Sequence, residues 1–140
     1  MLISSKGRYA LRVMLDLAQH QNGMPIPLKD IAARQEISLK YLESIATLLS
    51  KGGLIEGQHG KGGGYRLLRT PDNYSVLEIL DLTETSFATV ECVECGGCHR
   101  ATDCLTLPMW KELDALIRGY LQGVTLQQLL GVAPGNDYVI

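Results

Sequence analysis

The sequence predicts a mainly α fold with a small β-wing: a winged helix-turn-helix followed by a long C-terminal dimerisation helix. Three observations carry this expectation. Two short amphipathic segments, residues 28–34 and 39–50, are separated by a turn of a few residues, the spacing of a helix-turn-helix. A glycine-rich run, residues 59–64, then lies between two short apolar segments, as in a β-hairpin. Further on, Trp110, Leu113, Leu116, Ile117, Tyr120 and Leu121 form a stripe at helical spacing.

The elements follow in order. Tyr9, Ala10, Val13, Met14, Leu17 and Ala18 recur at spacings of one helix face, so a first helix is expected over residues 5–20, capped by Ser4 or Ser5. Asn22-Gly23 ends it, and Pro25 and Pro27 hold the chain extended. In the second helix Ile31 and Ala32 face inward while Lys29 and Asp30 face out. Gln35-Glu36-Ile37 turns the chain without the frequent glycine. Ser38 caps the third helix, whose inward residues are Leu39, Leu42, Ile45, Ala46 and Leu49. Gly52-Gly53 stops it. Residues 54–56 and 65–68 are the expected wing strands. Ser75 caps a fourth helix through residue 82, with Val76, Ile79 and Leu80 buried. Periodicity is lost over residues 83–103. The long helix is expected over residues 105–121, with Pro108 in its first turn, where a missing amide is tolerated. Thr125 caps a short final helix to residue 130. The expected organisation is a winged-helix region over 1–82, a cysteine-rich loop over 83–103, a dimerisation helix and final helix over 104–130, and a frayed tail over 131–140.

The chain has 140 residues, 46% hydrophobic and 20% charged, the composition of one globular domain. It has neither a membrane-length apolar stretch nor an N-terminal signal core, so a cytoplasmic protein with no membrane contact is expected. The net charge of −2 hides an asymmetry. Residues 1–70 hold 10 Lys+Arg against 5 Asp+Glu, while residues 71–140 hold 3 against 10. A basic half joined to an acidic half points to a polyanionic partner for the first half. In a winged helix the third helix enters the DNA major groove and the wing touches the adjacent minor groove or backbone. The candidate contacts on the third helix are Ser38, Lys40, Tyr41, Glu43 and Ser44, with Thr47 on the same outward side. Lys40 can reach guanine acceptors or phosphate, Glu43 can accept from cytosine, and Ser44 can bond either way. On the wing, His59 and Lys61 are placed for the narrow groove. Ser38 and the cap amides can hold a phosphate, and Lys6 and Arg8 add backbone charge.

The wing glycines do not make a nucleotide loop. A phosphate-binding loop would need glycine at Ile55 and Ser or Thr at Gly62, and a dinucleotide fingerprint counted from Gly60 would need glycine at Tyr65. Enzyme chemistry is not expected: His20, His59 and His99 are isolated, and no Ser-His-Asp grouping exists.

Cys92, Cys95, Cys98 and Cys104 follow the spacing C-x2-C-x2-C-x5-C. Such thiolates suit an iron–sulfur cluster, a structural zinc, or free thiols that oxidise. Zinc sites usually use two separated pairs, whereas one loop supplies all four sulfurs here, which favours a cluster. Glu91, His99 and Asp103 are read as solvated loop residues. The segments SSKGRYALRVMLDLA, PIPLKDIAARQEISLKYLESI, GLI followed by GKGGGYRL, and the C-x5-C-x5-C-LT pattern together resemble the IscR-type iron–sulfur cluster regulators over residues 1–130. The resemblance implies a homodimeric transcription factor on double-stranded DNA. It also implies a 2Fe–2S cluster ligated by Cys92, Cys98 and Cys104, whose occupancy alters promoter choice. Two positions depart from the pattern. The usual fourth ligand, a histidine three residues after the last cysteine, is Leu107 here, and Cys95 is the candidate for that role. Ser44 and His59 also stand where longer or more basic side chains are common, so the operator sequence does not carry over. The alternative is a winged-helix regulator with structural zinc or no metal, switched by thiol oxidation, nitric oxide or a protein partner.

Overall fold

The computed structural model describes residues 2–95 and 98–131, apart from the side chain of Cys95. The expected tail falls outside the described residues, except for Gly131. Helix α1 (Ser5–His20) opens with Ser4, whose hydroxyl accepts from the Gly7 amide at 3.1 Å. Its apolar stripe buries Ala10, Val13, Met14, Leu17 and Ala18. Helix α2 (Leu28–Gln35) ends where Glu36 turns into the left-handed region, φ 55° and ψ 45°, and its amide returns to the Ala32 carbonyl. This left-handed cap makes the sharp turn without glycine. Helix α3 (Leu39–Lys51) is capped by the Ser38 hydroxyl, which accepts from the Tyr41 amide. It buries Leu42, Ile45, Ala46 and Leu49. Full burial of each Leu or Ile side chain contributes about 2 kcal/mol.

Strands β1 (Ile55–Gln58) and β2 (Gly64–Leu67) pair antiparallel, with Ile55 opposite Leu67 and Gln58 opposite Gly64. The hairpin turns at Gly60 and Gly62, with φ of 94° and 80°, where a side chain would be strained. The hairpin does not stand free. Ile26 and Tyr65 exchange backbone hydrogen bonds of 2.8 and 2.9 Å, fastening β2 to the extended Pro25-Ile26-Pro27 segment before α2. The base of the wing is held by Tyr74, which is fully buried. Its hydroxyl donates to the Leu54 carbonyl at 2.6 Å and accepts from the Leu68 and Arg69 amides at 2.9 and 3.1 Å.

A short 3-10 turn (Pro71–Asn73) leads into α4 (Val76–Thr83), capped by Ser75 as expected. Helix α5 (Glu91–Cys95) was not expected, because five residues are too few to show a period. Helix α6 (Leu107–Gly123) leans on α4 and α5, and α7 (Leu126–Leu130) returns the chain to α1. Leu126 is wholly buried in the same core as α1, α2 and α3. Several expectations need correction. The wing strands are displaced from 54–56 and 65–68, and α6 begins at Leu107 rather than Leu105. Leu39, expected inside, is 42% exposed, because the first residue of α3 projects before the helix meets the core. No helix among the described residues is long and apolar enough to cross a membrane.

Candidate nucleic-acid interface and cysteine segment

The frame for α3 is a buried ionic tie. Asp16 lies on the inner side of α1 with no exposure, and Arg34 of α2 grips it through Nη2 at 2.7 Å and Nε at 3.0 Å. Gln35 Nε2 donates to the same carboxylate at 2.9 Å, and His20 Nδ1 lies 3.5 Å away. Burial pushes the Asp16 carboxyl up, but the hydrogen bonds from Arg34 and Gln35 and the charges of Arg34 and His20 hold it below its ordinary 3.8. Arg12 also reaches the side chain and carbonyl of Gln35. The end of α2, and so the turn into α3, is tied to α1 by directional bonds. Sequence reading missed this network, since partners 18 residues apart leave no periodic signal.

On α3, Lys40, Glu43, Ser44 and Thr47 are exposed, as is the Ser38 cap. Ser44 Oγ donates to the Tyr41 carbonyl and Thr47 Oγ1 to the Glu43 carbonyl, so both hydroxyls have local partners. Tyr41 is less exposed than its neighbours on this face. Its ring is half-buried edge-on to Tyr9, with centroids 5.7 Å apart and planes at 79°, because it borders the stripe of Leu42 and Ile45. His59 and Lys61 stand exposed on the wing.

Of these groups, Glu43 and His59 line one groove between the start of α2, the outer face of α3 and the wing, while Ser38, Lys40, Ser44 and Lys61 do not line it. Lys29, Leu39, Glu43, Gln58, His59 and Tyr65 are among its lining residues. Lys29 and Gln58 were not singled out from sequence as site residues. Their proximity arises from the Ile26–Tyr65 pairing, which joins segments far apart in the chain. The cations of the basic half divide into paired and unpaired. Arg34, Arg66 and Arg69 are paired with Asp16, Glu56 and Glu78. Among the described residues of the basic half, Lys6, Arg8, Arg12, Lys29, Lys40, Lys51 and Lys61 form no ion pair. Those unneutralised cations are the ones available to a polyanion.

The stripe on α6 resolves into two faces. Leu107 and Asp114 are buried and Trp110, Ile117 and Leu121 are half-buried on the side toward the rest of the chain. Met109, Leu113, Leu116 and Tyr120 face out, exposed by 51, 39, 65 and 71%. Their alternating spacings of four and three are those of a helix-pairing seam. Leu113, Leu116 and Tyr120 belonged to the expected stripe, while Met109 did not.

Cys92, Cys98 and Cys104 are free thiols, each partly buried. The Cys104 thiol is held below its usual value, first by the Thr106 hydroxyl 3.3 Å away and then by the backbone amides of Thr106 and Leu107 at the start of α6. A sulfur so placed is suited to an anionic ligand role. No three His, Cys, Asp or Glu side chains among the described residues converge closely enough to hold a metal ion. The donor chemistry therefore fits a thiolate-ligated centre, while convergence requires the segment to close. Leu107, at the position of the histidine ligand implied by resemblance, is buried and apolar. The Cys95 side chain lies outside the described residues. Glu91, His99 and Asp103 lie on the surface.

Comparison with known proteins agrees with this architecture. The family model described as Rrf2, iron-dependent transcriptional regulator, matches residues 3–131. The HTH-type transcriptional regulator IscR of Aliivibrio salmonicida is 42% identical over 130 residues, covering 93% of this chain and 77% of the relative. The solved structure of IscR from T. potens is similar at a TM-score of 0.75 and 32% identity, covering 96% of this chain and 94% of that one. The structure of CymR, the global cysteine regulator of B. subtilis, is similar at 0.76 and 31%, covering 92 and 95%. These relatives are named as regulators rather than enzymes. A helix-turn-helix, a pinned wing and this match along nearly the whole chain together make the protein a member of the Rrf2 family of winged-helix transcriptional regulators.

Proposed function

We propose that the protein is a homodimeric DNA-binding regulator whose promoter binding responds to a 2Fe–2S cluster held by the cysteine segment. The observation that carries the reading is the groove of α3 and the wing, lined by the unpaired Lys29, with Lys40 and Lys61 exposed on the same two elements, in a chain that also presents a solvent-facing seam on α6. Residues 1–82 read DNA, 83–103 hold the cluster and 104–130 pair two chains. Ser38, Lys40, Glu43 and Ser44 face the major groove, and His59 and Lys61 face the neighbouring minor groove or phosphates. Tyr41 acts behind them through its packing on Tyr9. Cys92, Cys98 and Cys104 hold the cluster and Cys95 is the candidate fourth ligand, since Leu107 offers no donor. The cluster, when bound, supplies a redox-active centre sensitive to iron and sulfide supply. A ligand shifts DNA affinity only if the two protein states bind DNA differently. The relevant difference is the loop, which must close to gather the sulfurs. The partner for the α6 seam is a second copy, because a two-fold pair of winged helices matches a palindromic duplex site.

A second reading is a regulator with zinc or no metal, switched by thiol oxidation, nitric oxide or a protein partner. It is favoured by the free thiols of Cys92, Cys98 and Cys104, which do not converge with other metal-ligating side chains among the described residues. Anaerobic purification with iron, sulfide and zinc analysis separates the two. Matched iron and sulfide with visible absorbance, and different affinities of loaded and stripped protein across a promoter set, support the cluster reading. Colourless protein with stoichiometric zinc, or equal affinities in both forms, overturns it. The reading places the protein in the cytoplasm, where DNA and reduced thiols coexist.

A further inference from the structure

The segment that carries the cysteines begins immediately after α4, and its first residue makes an unusual long-range contact. Glu84 Oε1 accepts from the Ser4 amide at 3.1 Å and from the Ser4 hydroxyl at 2.8 Å, across 80 residues of sequence. Ser4 is the N-cap of α1, and its hydroxyl in turn accepts from the Gly7 amide at 3.1 Å. The contact needs Gly7. A Cβ there would stand 2.2 Å from Glu84 Oε1 and 3.1 Å from a methyl of Leu80. A carboxylate at a helix N-terminus is also electrostatically favoured by the unpaired amides and the helix dipole. Glu84 is thus seated in a pocket of the α1 terminus.

The residues around Glu84 are tied the other way. Asp81 pairs with Arg118 of α6 at 2.8 Å, and Arg118 Nη1 donates to the Phe87 carbonyl at 3.3 Å. The Thr89 amide donates to the buried Asp114 carboxylate at 3.0 Å. Residues 81–89 therefore join three parts of the molecule: the start of α1, the pairing helix α6, and the run leading into the cysteines. Lys6 and Arg8, two of the cations with no ion pair, sit within the first turn that Glu84 caps.

We infer that Glu84 is a positioning residue, a latch that couples the arrangement of the cysteine segment to the phosphate-facing first turn of α1. With the latch closed, Lys6 and Arg8 are held in one orientation. A rearrangement of residues 85–106 that withdraws Glu84 releases Ser4 and lets that turn fray. The consequence for DNA rests on the function proposed above, whereas the coupling itself does not.

The test uses the full chain and two readouts. Hydrogen exchange at the Ser4 and Gly7 amides reports the latch without DNA. Glu84→Ala is expected to speed exchange at both amides while core amides of α3 stay protected. Alkylating the cysteines with N-ethylmaleimide is expected to alter exchange at residues 4–8 in the wild type, and to add nothing in Glu84→Ala. Glu84→Gln, which keeps an accepting oxygen but loses the charge, is expected to fall between, and it serves if the alanine variant does not fold. The second readout is the salt dependence of binding to a duplex that the wild type selects from a randomised pool. Loss of ordered Lys6 and Arg8 contacts, two from each chain of the dimer, is expected to reduce the slope of log K against log salt by about 2 to 4. A general loss of stability would weaken binding without lowering that slope. Unchanged exchange in both Glu84 variants, or alkylation effects that persist in Glu84→Ala, would overturn the latch. If no duplex is selected, the DNA reading fails while the exchange result still decides the coupling.

Discussion

Removing Arg34 should be far more damaging than removing Asp16, although the two form one ion pair. Arg34→Ala leaves a carboxylate with no exposure, served only by Gln35 and His20. Breaking a buried pair from this side costs about 3 kcal/mol, the lower end of the usual range, because Arg34 is 35% exposed and its loss lets some water in. Asp16→Asn keeps the shape, and the orphaned guanidinium can turn to solvent, so about 1–2 kcal/mol is expected. The pH dependence gives an independent sign. In the wild type the Asp16 carboxyl is held below 3.8, so its contribution is present above that value and fades as the pH falls through the folded-state pKa. In Arg34→Ala burial dominates and pushes the carboxyl up. The deficit of the variant is then full near neutrality and begins to shrink at about pH 4, where the variant's Asp16 takes up a proton while the wild type's is still ionised. Urea unfolding at about pH 7 and about pH 4 measures both effects. Equal losses for the two variants, or a deficit for Arg34→Ala that is constant with pH, would refute the reasoning.

Three further expectations test separate parts of the structure. Tyr74→Phe leaves the Leu54 carbonyl and two amides at the wing base without their partner, so it should cost about 1–3 kcal/mol in urea unfolding and weaken duplex binding, while Tyr9→Phe should change stability little. Glu36→Gly relieves a side chain in the left-handed region and should raise stability by up to about 1 kcal/mol, measured as a higher unfolding midpoint; a lower midpoint would refute the strain. Leu116→Glu places charge in the outward seam of α6 and should convert a dimer to a folded monomer by light scattering, with helical content unchanged; an unfolded variant would mean that the seam packs within one chain.

The fold was legible where local chemistry sets it. Ser4, Ser38, Ser75 and Thr125 each cap the helix they precede, because an N-cap bond spans only a few residues. The apolar faces of α1 and α3 follow their stripes, apart from Leu39. What could not be read is what depends on distant partners. Asp16 looks like an ordinary surface carboxylate until Arg34 is placed beside it, and Tyr74 looks like a loop residue until three backbone groups converge on its hydroxyl. The site divides in the same way. The exposed positions of Lys40, Glu43, Ser44, His59 and Lys61 follow from helix phase and the hairpin turn. Lys29 lies beside Glu43 and His59 only through the Ile26–Tyr65 pairing, and Tyr41 is half-buried because Tyr9 of another helix packs edge-on against it. The cysteine spacing revealed a donor set, but not the acidified setting of Cys104, which needs the start of α6 to be in place.

The charge asymmetry of the chain acquires a physical role once the fold is known. Four acidic residues of the second half, Asp81, Glu84, Glu94 and Asp114, line a depression separate from the α3–wing groove, which Arg118 only partly neutralises. A duplex approaching that side meets repulsion, while the side bearing Lys29, Lys40 and Lys61 attracts it. Exposed charges more than about 10 Å apart are largely screened at ordinary salt, so the acidic half steers the encounter rather than weakening the final contact. Glu43 is different, because it sits on the attractive face itself. A carboxylate there opposes phosphate and is tolerated only where a base donor meets it. On the proposed function, Glu43 is a discriminator against most sequences, and Glu43→Ala is expected to relax the choice among duplexes.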